Sequence, residues 1–197
     1  MALPTDNPSA KTDAVAEEIK KMGPKDLAAL PDLEAEDLLL FGTLIQYFAF
    51  MDLNLRRALE VFYKAKMLPK EYLKFYPKLQ DSKLTEAVAN VLKAMDPKPD
   101  YLETALVWIE VINVTRKQRN LVGHFAGKRH PKEDVYVFVS KSEKDAIKVL
   151  GVGLGEHEVY TSVAGRSEFA EMVESAKNAH EWLAGKMPEW NERYPKS

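Results

Sequence analysis

The sequence predicts a mainly α fold: an antiparallel, up-and-down four-helix bundle with a small β-hairpin or three-stranded meander inserted between the last two helices. Three observations predict it. Several long segments carry apolar residues at the alternating spacing of one helix face. Their connections are short and marked by proline or glycine, which favours antiparallel neighbours. Between residues 133 and 164, by contrast, β-branched and aromatic residues gather in short runs.

A chain of 197 residues, 46% apolar and 29% charged, is long enough for one domain with its own core. Residues 13–187 are expected to form that domain, between a flexible N-terminal tail (1–12) and a polar C-terminal tail (188–197). The formal charge of −2 exerts no global attraction on nucleic acid or an anionic membrane, so any basic surface must be local. There are no cysteines, which removes disulfides and thiolate chemistry. The first residues lack the positive region and apolar core of a signal peptide, and a cytoplasmic location is expected. The most apolar stretch, residues 38–53, is shorter than the roughly 20 residues of a membrane span. It also contains Gln46 and Asp52, reads as a buried helix, and implies no membrane association.

Taken in order, residues 12–22 suit a short helix ended by Gly23-Pro24, and residues 25–33 a short helical or irregular connector interrupted at Pro31. A first long helix covers residues 34–67. Phe41, Leu44, Ile45, Phe48, Leu55, Leu59 and Phe62 make its buried stripe, and Asp52 lies within it. A carboxylate there must be paired, protonated or solvated by a cavity: either the stripe is wider or rotated at that turn and Asp52 pairs with Arg56 one turn on, or it reaches an arginine of another helix. Phe50, Leu53 and Val61 lie on the far side, which calls for a second cover or a second subunit. Tyr72, Phe75 and Tyr76 read as packing aromatics rather than a base-stacking platform. Asp81 or Ser82 caps a helix reaching residue 95, with Leu84, Val88, Val91 and Leu92 inward. Asp100 and Glu103 open the central helix, residues 100–125, in the manner of a capping box. Three β-prone runs follow, at 135–140, 146–150 and 159–163. The glycine-rich stretch at 151–155 precedes no helix and is no phosphate loop. A final helix over residues 167–186 gathers Phe169, Met172, Val173, Ala176 and Leu183.

The functional signal lies at the end of the central helix. Val107, Val111, Val114, Leu121 and Phe125 share one side at about 100° per residue. Asn113, Arg116, Asn120 and His124 form a second line, and Arg119 flanks it. Such a row can grip an anion. It also has a plainer explanation, because basic residues near a helix C-terminus complement the macrodipole and Gly123 marks a helix end. Between Arg116 and Lys132 there are six Lys or Arg, two His and no acidic residue. Lys117, Lys128, Arg129 and Lys132 are therefore candidate contacts to a phosphate backbone. His124, His130, His157 and His180 are scattered without carboxylates at ligand spacing, so no metal and no other cofactor is expected. No nucleophile elbow is present. The chemistry left is metal-free work on phosphate, with a His as acid or base and an Arg stabilising charge on phosphorus.

Arg119-Asn120-Leu121-Val122-Gly123-His124 resembles the motif of the HEPN superfamily: an Arg, a polar residue after it, and a His beyond four to six intervening residues. In that family the motif ends a long helix of an up-and-down bundle, and the resemblance spans residues 34–187. It implies a homodimeric, metal-independent endoribonuclease whose two motifs line one cleft, in a defence or toxin–antitoxin setting, acting on RNA or binding a nucleotide. By that resemblance Arg119 binds the scissile phosphate, His124 handles the proton of the 2′-hydroxyl or the leaving group, and Asn120 orients one of them. Asp52 supports Arg119, and Arg116 stands beside the row. A function of a different class, a non-catalytic helical module that docks a protein partner, predicts instead that the Arg and His serve only as caps, and a nucleotide-sensing role for the same pocket predicts saturable nucleotide binding without turnover.

Overall fold

The computed structural model describes residues 10–95, 98–151 and 159–194. Most of the expected N-terminal tail, most of the glycine-rich stretch, His157 and the last residues of the expected C-terminal tail lie outside them. The described elements are α1 (Ala10–Ile19), α2 (Pro24–Ala28), α3 (Ala35–Lys64), α4 (Lys70–Leu73), α5 (Asp81–Ala94), α6 (Pro99–His124), β1 (Ala126–Arg129), β2 (Val135–Ser140), α7 (Glu143–Leu150), β3 (Tyr160–Gly165) and α8 (Arg166–Arg193). The fold is mainly helical with a three-stranded antiparallel sheet in the order β1-β2-β3. The chain divides into two compact units, Met1–Leu44 with Lys117–Glu174 and Ile45–Arg116 with Ser175–Ser197.

Three elements depart from expectation. Residues 146–150 are not a strand but most of α7. The Ser142 side chain caps this helix by accepting from the Asp145 amide at 3.2 Å, and Gly151 closes it in the left-handed region at φ 68°. The third strand is instead β1, whose Ala-Gly-Lys-Arg sequence has no β-branched residue and becomes a strand by pairing with β2. Its Gly127 allows close approach, because a Cβ there would lie 2.9 Å from Leu33 Cδ1 and 3.3 Å from Phe41. Finally, the expected polar tail is helical as far as Arg193, with Pro188 inside α8.

The first unit is built around β2. Its side chains alternate between two covered faces, which is why it reads as an almost continuous apolar run. Val135 and Val137 pack with Val15, Ile19, Leu27 and Leu30 of the N-terminal segment. Tyr136 and Phe138 point the other way and meet Phe41 of α3 and Phe169 of α8; Phe41 is 4.9 Å from Tyr136 and 4.8 Å from Phe169, ring to ring.

A buried ionic cluster closes this side. Asp37 is fully buried in the first turn of α3. Its Oδ2 accepts from the Glu34 amide at 2.9 Å and its Oδ1 from the Tyr136 hydroxyl at 2.8 Å. Arg166 Nε lies 3.3 Å from Oδ1 and Arg129 Nε 3.7 Å from Oδ2. Glu34 and Glu36 pair with the same two arginines from the solvent side. Burial, and then the bond to Asp37, pushes the Tyr136 hydroxyl from 10 up to about 12. The folded state thus keeps a proton that the unfolded chain releases. This contribution is complete below 10 and is lost as pH rises toward about 12. Tyr136→Phe is expected to make the alkaline fall in stability shallower over that interval, as read from denaturant midpoints against pH.

The second unit has the helical periodicity the sequence suggests. Leu84, Val88, Val91 and Leu92 of α5 are buried, as are Ala176, Ala179 and Leu183 of α8. On α6 Val111 is buried as expected, but the inward line runs through Ala105, Ile109, Ile112 and Thr115 as well, and the expected Val107 and Val114 are half-buried. On α3 Met51, not Asp52, takes the inward position between Phe48 and Leu55, and Val61 is buried rather than outward. Helix α3 is long and apolar enough by composition to cross a membrane, yet only 33% of its most apolar stretch is buried. Leu38, Leu39, Ile45, Phe50 and Leu53 are exposed, so α3 is a buried helix on one face only.

Candidate functional site

The motif helix is unbroken through its last turn. Gly123 is helical, a Cβ there would meet nothing within 4 Å, and α6 ends at His124. Leu121 and Phe125, both buried, anchor this end, which leaves Arg119, Asn120 and His124 half-buried on its other sides. Arg119 Nη1 donates to Asn120 Oδ1 at 3.1 Å. That bond fixes the Asn amide and turns its nitrogen into the remaining donor end. Asn120 and His124 are one turn apart and therefore neighbours on the helix surface.

His124 reaches a residue that sequence reasoning missed. Its Nδ1 lies 3.2 Å from Asp145 Oδ1, with the side chains 30% and 26% exposed. Asp145 is the third residue of α7, where the helix dipole favours a carboxylate. Its own amide is held by Ser142, and the Ser142 amide in turn donates to Ser140 Oγ at 3.0 Å. The buried Ala146 beside it is the one residue of α7 that is fully covered. The signal that could have found Asp145 was the cap: Ser142 three residues before an acidic residue, with glycine after the last apolar residue, is a helix signature.

The other candidates are placed differently. Asp52 is gripped by Arg56, with Nε 2.8 Å from Oδ2 and Nη2 3.2 Å from Oδ1. Arg56 Nη1 also donates to the Leu79 carbonyl at 3.3 Å. The local i, i+4 partner has therefore taken both carboxylate oxygens. Arg116, half-buried, belongs with Asp52 to the second unit, whereas Arg119, Asn120 and His124 belong to the first.

Of the four cations expected on a phosphate backbone, Lys117 and Lys132 are exposed. Lys128 pairs with Asp32 at 2.6 Å, and Arg129 with Glu34 and Asp37. Arg129 and Lys132 line a cleft of about 390 Å³ that also contains Asp32, Glu34, Glu133 and Asp134. The positive run of the sequence is thus answered in space by carboxylates from the segment preceding and opening α3. Within the cleft, His130 Nδ1 faces the Glu133 amide at 3.1 Å, a turn-forming role. Among the described residues no three His, Asp or Glu side chains are grouped as metal ligands. No family model, curated protein or solved structure matches the chain.

Proposed function

We propose that the protein is a cytoplasmic, HEPN-like, metal-independent endoribonuclease that works as a homodimer, its long helices forming an up-and-down four-helix bundle. The observation that carries this reading is the juxtaposition, at one helix end, of a half-buried His124 whose Nδ1 lies 3.2 Å from a carboxylate with an Arg119 that donates to Asn120. In the reaction, His124 takes the proton of an RNA 2′-hydroxyl as its oxygen bonds to the adjacent phosphorus. The bond from phosphorus to the 5′-oxygen breaks, and the protonated His124 of a second copy gives that oxygen its proton. Arg119 stabilises the charge on the phosphoryl oxygens, and Asn120 keeps the guanidinium aimed. The exposed Leu38, Leu39, Phe50 and Leu53 of α3 supply apolar surface for the second copy.

The test is cleavage of mixed RNA in the presence of a metal chelator. His124→Ala and Arg119→Ala are each expected to lower the rate by at least about 100-fold, with circular dichroism unchanged and with 2′,3′-cyclic phosphate ends in the native reaction. Absence of cleavage by the native protein would overturn the reading. The exposure of Leu38 and Leu39, at 58% and 71%, favours a second reading, a non-catalytic module that docks a protein partner. On that reading, charge changes at Arg119 and His124 leave partner capture untouched while Leu39→Glu abolishes it.

A further inference from the structure

We infer that Asp145 is the positioning residue of His124: it holds the imidazole proton on Nδ1 and so makes Nε2 the nitrogen that works on substrate. The inference deepens the ribonuclease reading and rests on it for its catalytic consequence, though not for its structural one. Neutral imidazole carries its proton on one nitrogen or the other, and the partner of one nitrogen sets the state of the second. Among the described residues Asp145 Oδ1 is the carboxylate oxygen beside His124, 3.2 Å from Nδ1. An ionised carboxylate only accepts, so its charge beside Nδ1 favours the proton on that nitrogen.

Two independent supports keep the pair in register. On the His124 side, Leu121 and Phe125 bury the helix end that carries it. On the Asp145 side, Ser142 fixes the backbone of the residue in the first turn of α7. With Nδ1 beside Asp145, Nε2 is the ring nitrogen left to act as a general base. The segment between the sheet strands therefore supplies a working part of the site rather than an appendage to it.

The experiment is a long-range proton–nitrogen correlation on the full-length protein with nitrogen-15 histidine, the His124 signals being assigned by their loss in His124→Gln. In the native protein neutral His124 is expected to show a protonated Nδ1 and an unprotonated Nε2. Asp145→Ala is expected to shift the proton to Nε2, the site free imidazole prefers in histidine. Asp145→Asn, which keeps the shape and offers an amide donor to Nδ1, is expected to complete that shift and to lower cleavage by about 100-fold in kcat with KM little changed. A native His124 already protonated on Nε2, or a tautomer that ignores both substitutions, would overturn the inference. So would a tautomer that shifts while cleavage stays at the native rate. A native protein that cleaves no RNA removes the ribonuclease reading alone, because the tautomer measurement decides the role of Asp145 without turnover.

Discussion

Asp37→Ala is expected to destabilise the first unit by about 3 kcal/mol, near the low end of what stranding a buried ion costs. The change removes the acceptor of the Tyr136 hydroxyl and of the Glu34 amide, and it leaves Arg129 and Arg166 facing each other across the vacated site. The cost stays near the low end because Glu34 and Glu36 still hold the outer edges of the two arginines. Asp37→Asn is no rescue. Its amide nitrogen would meet a guanidinium, donor against donor. Amide hydrogen exchange of β2 is the measurement of choice, since Tyr136 is the second residue of the strand and packs with Phe41, Phe138 and Phe169. Undiminished protection of β2 in Asp37→Ala would mean that the cluster adds nothing net, as buried ion pairs sometimes do.

That cluster also shows where sequence reading stops. The contacts joining it bridge remote positions, Tyr136 to Asp37 across 99 residues and Arg166 to Glu36 across 130, and nothing in local periodicity encodes such a meeting. The same reason explains the misleading positive run from Arg116 to Lys132. Its partners Asp32, Glu34 and Asp37 come from the segment that opens α3 and cannot be seen by counting neighbours along the chain.

Periodicity, by contrast, was enough for α5, for the Phe169 to Leu183 line of α8, and for β2, whose observed bounds match the expected run. It failed at α7 because apolar residues at Ala146, Ile147, Val149 and Leu150 satisfy a helix face and a β-prone run equally well. There the caps decide, Ser142 before and Gly151 after. At Asp52 periodicity left two partners open, and the stripe is rotated by the small step that puts Met51 inward and leaves Asp52 to its neighbour Arg56. Spacing placed Arg119, Asn120 and His124 together at the helix end, as the structure has them, but did not by itself separate a site from a helix cap. Asp145 was hidden behind the mistaken strand that contained its neighbours.

Trp190→Ala is expected to cost the second unit about 4 kcal/mol, within the usual range for emptying a buried indole. Trp190 is fully buried, 5.3 Å from the Phe62 ring and 6.3 Å from Trp182, and its Nε1 donates to the Tyr101 hydroxyl at 3.1 Å. This residue explains why α8 continues past Pro188. An interior proline costs a helix about 3 kcal/mol, enough by itself to predict the end that the sequence suggested. Burying one indole and satisfying its donor offsets that cost, and Pro188 is exposed, where water can take the carbonyl its ring displaces. Trp190→Phe should retain most of the packing and lose the donor, at about 1 kcal/mol. A chain ending at residue 187 should behave like Trp190→Ala or worse. The three tryptophans, Trp108, Trp182 and Trp190, all belong to the second unit, so fluorescence during denaturant unfolding follows that unit. In Trp190→Ala the two remaining indoles, 6.3 Å apart, still report. An unfolding midpoint unmoved by the truncation would return residues 188–197 to the status of a tail.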